Sequence, residues 1–157
     1  MQAPVAFPSL GWFERLVALM REHRPLYEKL GYVDCKVRFT VLDGGPGGTP
    51  WSVRIHFDAF DVLEVKELGA ASDKAADADF SIAATLETWR KMIQSISEGG
   101  GKPALQQTLN DLNLRSRTLL VDSNDLLTRD LFFRYNQSLQ TFINASGALS
   151  TVFPEAR

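Results

Sequence analysis

Residues 79–148 constrain the fold most, because the spacing of their apolar side chains changes several times along the chain. Residues 79–84 alternate in polarity and predict a strand, and apolar residues from Trp89 to Ile96 then recur at helical spacing. The last long segment, residues 124–146, predicts a single helix with a wide apolar arc beside a sheet, which is typical of an enclosed apolar space. The arc consists of Leu127, Leu131, Phe132, Tyr135, Leu139, Phe142 and Ile143.

The rest of the chain reads as helices followed by alternating strands and turns. The sequence therefore predicts one domain over residues 1–157, with residues 1–8 as a loose lead-in. The other predicted elements are a helix over 9–23, a helical turn over 26–30, strands over 34–42, 51–57 and 60–67, a loop over 69–77, helices over 85–97 and from 103 onward, and a strand over 114–121. This order predicts an α+β fold with helices packed on one face of a mainly antiparallel sheet.

The net charge of −2 argues against nucleic acid as a partner, because nucleic-acid-binding proteins usually carry a basic surface. The single cysteine, Cys35, excludes an internal disulfide, and its place in an alternating strand predicts a small buried side chain. No apolar run approaches the ~18 residues that span a membrane, and the first residues do not resemble a secretory signal. A cytoplasmic protein without stable membrane insertion is therefore expected.

Few residues suit catalysis or metal binding. The two histidines, His23 and His56, are distant in sequence and lack partners at metal-ligand spacing, so no metal site and no cofactor is expected. Residues 99–102, Gly-Gly-Gly-Lys, lack the spacing of a phosphate-binding loop and are typical of a helix end. His56, Asp58 and Tyr135 would be the acid–base candidates of an isomerase or cyclase acting on a hydrophobic substrate. That function requires the three side chains to converge in one pocket.

The apolar arc of the last helix leaves two interpretations open. The helix carrying Trp89 and the last helix are expected to cover the sheet. Core packing accounts for each apolar residue taken singly, whereas the aromatic and flexible side chains of these two helices together also suit a ligand cavity. Leu126 and Phe133 fall outside the arc, seven residues apart and on nearly the same side of the helix. This second strip predicts a lid, a cavity wall, or a contact with a partner enzyme or with a second copy of the chain.

The order of these segments and their amino-acid sequences resemble the sterol carrier protein 2 family. The resemblance rests on the strands Trp51–Ile55 and Phe60–Val65, on the Ala-Asp pair that opens Ala78–Ile82, and on the helix carrying Trp89. Residues 129–140, Arg-Asp-Leu-Phe-Phe-Arg-Tyr-Asn-Gln-Ser-Leu-Gln, are similar to bacterial members whose C-terminal helix is extended.

The resemblance covers about residues 34–146 and implies a five-stranded sheet covered by helices, with an apolar tunnel between them. It implies binding of a fatty acid, fatty acyl-CoA, sterol or other lipid, without a catalytic group, metal or cofactor. It also implies a carrier, or an accessory domain that presents a lipid to a partner enzyme. The matching apolar positions, which the resemblance implies contact the ligand, are Phe80, Ile82, Trp89, Met92, Ile93, Leu105, Leu109, Leu119, Phe132, Tyr135, Leu139 and Phe142.

Overall fold

The computed structural model describes residues 3–68, 78–123 and 125–154, so the predicted loop over 69–77 lies outside the described residues. The strands are β1 (Val5–Ala6), β2 (Val33–Val41), β3 (Trp51–Ala59), β4 (Asp61–Leu68), β5 (Phe80–Ala84), β6 (Leu120–Asp122) and β7 (Thr151–Val152). The helices are α1 (Leu10–Glu22), α2 (Arg24–Leu30), α3 (Leu86–Glu98), α4 (Leu109–Leu114), α5 (Leu126–Arg129) and α6 (Leu131–Asn144).

Five of the strands form one sheet in the order β4-β3-β2-β5-β6. Three of its four pairings are antiparallel, whereas β2 and β5 are parallel. Asp79 sets the start of β5 against β2, because its N–H donates to the Lys36 carbonyl and its carboxylate accepts the Lys36 N–H, both at 2.8 Å. The Asp79 carbonyl also accepts a hydrogen bond from Ser123 Oγ, just after β6, at 2.6 Å. The predicted α+β fold with a mainly antiparallel sheet is confirmed.

Alternation of side chains gives the sheet one apolar and one polar face. The odd-numbered residues of β2 are buried, as predicted: Cys35, Val37, Phe39 and Val41. On the opposite face the cross-strand neighbours are polar, with Lys36, His56 and Glu64 in one row and Arg38, Arg54 and Lys66 in the next. A one-residue slip of register would put each of these charges into the core, so burial of the apolar face fixes the pairing.

Helices α1, α3 and α6 cover the apolar face. Ser9 and Thr85 cap α1 and α3 as predicted, each accepting a backbone N–H from the first turn. The Trp89 indole N–H donates to the buried carbonyl of Thr40 at 3.0 Å, which ties α3 to β2. Helix α1 packs against β4 and α6 and is a third part of the cover, in addition to the two predicted helices. No helix among the described residues is both long enough and apolar enough to cross a membrane.

Residues 5–8 are ordered against the other end of the described chain and are not the loose lead-in predicted for them. Strand β1 pairs in parallel with β7. Phe7 is 1% exposed, and its ring lies edge-on to that of Trp12 with 4.7 Å between centroids. The Trp12 indole N–H in turn donates to Thr151 Oγ1 at 3.1 Å. The segment is ordered because it supplies a large aromatic side chain to the core.

The helix predicted from residue 103 begins later, at Leu109. Thr108 Oγ1 accepts the Asp111 N–H at 3.1 Å and so caps α4, whereas Leu105–Gln107 form a separate 3₁₀ turn. The cap fixes the start of the helix by satisfying a backbone donor that has no intrahelical partner.

The strand predicted over 114–121 shortens to the three residues of β6. Helix α4 continues to Leu114, and Arg117 adopts a φ of 56°, which interrupts an extended backbone. The predicted last helix is also two helices, because α5 ends at Arg129 and α6 begins at Leu131.

Candidate functional site

Aromatic side chains fill the space between the apolar face of the sheet and the helices. The ring of Phe39 lies 6.3 Å from the rings of both Trp89 on α3 and Phe142 on α6. Phe142 also meets Phe57 of β3 edge-on, with 5.2 Å between centroids. Because these rings connect β2, β3, α3 and α6, the space between sheet and helices is one continuous apolar interior.

Eleven of the twelve residues predicted to contact a ligand belong to this interior, with Tyr135 only partly buried at its margin. The other ten are each at most 2% exposed: Phe80, Ile82, Trp89, Met92, Ile93, Leu109, Leu119, Phe132, Leu139 and Phe142. These side chains are closed to solvent, so a ligand reaches them only when a covering element moves. An apolar tunnel at this position stays a prediction.

Leu105 is the predicted site residue that lies outside the interior. Its side chain is 84% exposed, in the 3₁₀ turn that precedes α4. The sequence predicted Leu105 and Leu109 on one face of a single helix. Because α4 begins only at Leu109, the two leucines do not share a helix. The predicted placement of Leu105 in this helix is therefore wrong, whereas its contact with a ligand stays a prediction.

The predicted apolar arc is also wrong at its first position, because Leu127 is 77% exposed. Helix α5 buries none of its side chains, and Leu126 is 74% exposed. The Asp125 carboxylate accepts the Leu127 N–H at 2.9 Å, and Ser123 Oγ lies 2.5 Å from Thr128 Oγ1. These polar contacts hold α5 next to the end of β6, separately from α6, and its leucines face outward.

Three phenylalanines connect this end of the interior to the surface, and we call them the aromatic mouth. The ring of Phe133, which is 44% exposed, lies 5.2 Å from that of the buried Phe132. Phe132 lies 6.1 Å from Phe80 at the start of β5. The aromatic mouth is next to α5. Because α5 buries none of its side chains, moving this helix away would expose little apolar surface. Segments of that kind open at the lowest free energy.

The acid–base candidates do not converge. His56 lies on the polar face of the sheet, opposite Lys36 and Glu64. Asp58 lies on the same face, two residues further along β3. Tyr135 is on α6 and packs against the apolar interior, which lies on the other side of the sheet. The pocket that the enzyme hypothesis requires is therefore not formed by these three residues.

Two titratable side chains of the interior, Cys35 and Tyr27, have raised pKa values. Burial raises the pKa of the Cys35 thiol, and the carboxylates of Asp79 and Asp34 raise it further. The predicted burial of Cys35 is confirmed, at 2% exposure. Burial raises the pKa of Tyr27 to about 12. Within the described part of the chain, no group of three or more histidine, cysteine, aspartate or glutamate side chains could hold a metal ion.

A groove with a volume of about 470 Å³ lies between α2, α4 and α6 and was not predicted from the sequence. We call it the amide groove, because six of its lining residues carry amides or hydroxyls: Thr108, Asn110, Asn136, Gln137, Gln140 and Thr141. The sequence does contain a pattern that indicates this polar face. Asn136 and Gln140, and likewise Gln137 and Thr141, are four residues apart and therefore lie on one face of a helix.

At the level of sequence, no protein-family model and no curated protein matches this chain. Two solved structures share its fold. One is a crystal structure of sterol carrier protein 2, with a TM-score of 0.61 and 17% identity over 88% of this chain and 95% of that chain. The other is a solution structure of a conserved hypothetical protein from Thermus thermophilus, described as possibly a sterol carrier protein, with a TM-score of 0.59 and 14% identity over 88% of this chain and 87% of that chain. The fold expected from the resemblance is therefore confirmed.

Proposed function

We propose that this chain, which has the fold of sterol carrier protein 2, binds the hydrocarbon part of a lipid between its sheet and its helices. The ligand is a fatty acid, a fatty acyl-CoA, a sterol or another lipid, and the protein acts as a carrier or accessory protein without a catalytic step. The observation that carries this proposal is the aromatic mouth, which runs from the exposed Phe133 through Phe132 to Phe80.

The hydrophobic effect supplies enough free energy for such binding. Each methylene group removed from water contributes about 0.8 kcal/mol, so a chain of about sixteen carbons gains on the order of 10 kcal/mol before any costs. Separating packed side chains and immobilising the ligand offset part of this gain. An alkyl chain therefore binds usefully even when its head group makes few contacts.

Helix α5 is the element whose movement best explains entry. Its leucines are exposed, and the contacts that fix it are hydrogen bonds of Ser123, Asp125 and Thr128. On this proposal, displacing α5 leaves the pairing of the five-stranded sheet intact and opens a path to Phe132, which follows α5 closely in the chain. Polar contacts of this kind are readily exchanged for contacts with water.

A reversible cross-link tests both binding and its route. The double substitution Ser123→Cys and Thr128→Cys places two thiols where hydroxyls now lie 2.5 Å apart. Uptake of cis-parinaric acid, followed by its fluorescence, should slow at least about tenfold in the oxidised variant and recover on reduction. The reduced variant is the matched control, and Cys35 stays buried in both forms. Wild-type protein that leaves the probe fluorescence unchanged would contradict lipid binding. Equal rates in the two redox forms would contradict entry at α5.

The positions of His56 and Asp58, on the other side of the sheet from Tyr135, support a carrier over an enzyme. A partner enzyme or a second copy that contacts Leu126 and Phe133 stays a prediction. Sedimentation of the wild type and of Phe133→Glu tests self-association, since a wild-type protein that sediments as a monomer at all concentrations would exclude the second copy.

A further inference from the structure

The amide groove lies directly over the apolar interior. The backbone N–H of Leu109, at the start of α4, donates to Gln140 Oε1 on α6 at 2.7 Å. Leu109 and the neighbour of Gln140, Leu139, are at most 1% exposed and belong to the interior. This hydrogen bond therefore lies at the boundary between the groove and the apolar interior.

The groove offers no counter-charge. Its lining among the described residues consists of amides, hydroxyls and the half-buried Leu30, without a charged side chain. Transferring a carboxylate or phosphate out of water without an opposite charge is strongly unfavourable. The lining therefore favours an uncharged ligand group.

Asn136, which lines the groove, carries a covered acceptor that lacks a donor. Asn136 Oδ1 is buried and accepts no hydrogen bond from any residue that the structure describes, and the same holds for Oε1 of Gln107, beside Thr108. The carboxamide of Gln140 is already engaged at both ends, by the Leu109 N–H and by Asn144 Oδ1 at 2.8 Å. Because a buried acceptor without a partner is costly, the groove suits a ligand group that donates a hydrogen bond.

We propose that the amide groove binds the head group of a neutral lipid, an amide or a hydroxyl that donates to Asn136, while the hydrocarbon chain occupies the apolar interior. This inference rests on the proposed function and specifies its ligand class. A free fatty acid, ionised at neutral pH, has only acceptors and a charge, and a methyl ester has only acceptors.

Four ligands with one oleoyl chain separate these requirements: oleamide, monooleoylglycerol, oleate and methyl oleate. Each is titrated as a competitor of cis-parinaric acid bound to the intact protein. Oleamide and monooleoylglycerol should bind about tenfold more tightly than methyl oleate and oleate. Their order tells whether an amide N–H or a hydroxyl is the preferred donor.

The variant Asn136→Leu should remove this advantage and leave methyl oleate unchanged. Asn136→Ser is a second variant, in case the larger apolar side chain disturbs α6, and circular dichroism checks that both fold. The matched control is Gln106→Leu, which removes an exposed carboxamide outside the groove and should keep the wild-type order.

The outcomes separate the two proposals. Equal affinities for all four ligands, or tightest binding of oleate, would overturn the head-group inference and leave lipid binding standing. A preference for neutral donors that survives in both Asn136 variants would place the head group elsewhere and overturn the inference. No binding of the probe, together with no heat of binding when oleamide is titrated into the protein in a calorimeter, would overturn lipid binding and the inference with it.

Discussion

Replacing Trp89 by phenylalanine tests whether the indole hydrogen bond holds the helical layer on the sheet. Its N–H donates to the buried carbonyl of Thr40, and the side chain is 1% exposed. The Thr40 carbonyl keeps its ladder partner in β5, so losing this second hydrogen bond costs about 0.5–1.5 kcal/mol. The lost ring volume, roughly 40 Å³, costs about 1 kcal/mol more at ~24 cal/mol per Å³. We therefore expect the free energy of unfolding to fall by about 1.5–2.5 kcal/mol.

Trp12 provides the matched control, because it is fully buried and also donates through its indole N–H. Its acceptor is the partly buried hydroxyl of Thr151, which can rotate and bind water when the indole is gone. Trp12→Phe should therefore lose only the volume term, about 1 kcal/mol, and a small part of the hydrogen bond.

Urea unfolding followed by circular dichroism measures both losses, and an unchanged m-value shows that the two variants unfold to similar states. Trp89→Phe should be the less stable variant by about 0.5–1 kcal/mol. Equal losses in the two variants would refute the reasoning, since they would show that the buried carbonyl at Thr40 does not depend on its indole donor.

Three further outcomes follow from single contacts. The Cys35 thiol, whose pKa is raised by burial, should react with a thiol reagent only after unfolding, and rapid reaction of the folded protein would contradict its burial. A hydrogen bond from Arg21 lowers the pKa of Asp61, so Arg21→Gln should reduce stability at pH 7 by at most about 1 kcal/mol, and this gap should close as the pH falls below ~4. Urea unfolding of the wild type and of Arg21→Gln at pH 7 and below pH ~4 measures this difference in stability. A difference that grows in acid would contradict the prediction. Gly99→Ala would force a methyl group against the carbonyl oxygen of Lys102, so its thermal midpoint should fall by the equivalent of roughly 2–4 kcal/mol, and an unchanged midpoint would contradict this packing.

The sheet was predictable because its signal is local and periodic. Alternation in β2 and β3 determines which side chains are buried, and that pattern also selects the register. The pair Ala78-Asp79 carries the resemblance, and the structure gives Asp79 a physical role, since its backbone and carboxylate together align β5 on β2.

The ends of the predicted helices were less predictable, because single polar side chains decide them. Thr108 starts α4 after Leu105, and the contacts of Ser123 with Thr128 turn α5 away from the arc that was to include Leu127. Helical periodicity shows which residues could share a face, but it contains no information about a cap or a break.

The candidate site divides in the same way. The buried lining residues carry large apolar side chains and were found by pattern and resemblance. Gln140, by contrast, acts through a hydrogen bond to the Leu109 backbone, 31 residues earlier in the chain, and nothing in the sequence pairs the two. Contacts across such separations follow from the fold and are not visible in any local window.

The pairing of β1 with β7 has a consequence for folding during synthesis of the chain. Val5 and Thr151 are partners in the ladder, so β1 cannot pair until all residues between them and β7 itself have been synthesised. At about 5–20 residues per second, that wait is on the order of ten seconds on the ribosome. During it, the aromatic rings of Phe7 and Trp12 lack the cover that β7 later supplies, and the nascent chain presents them to chaperones and to other nascent chains.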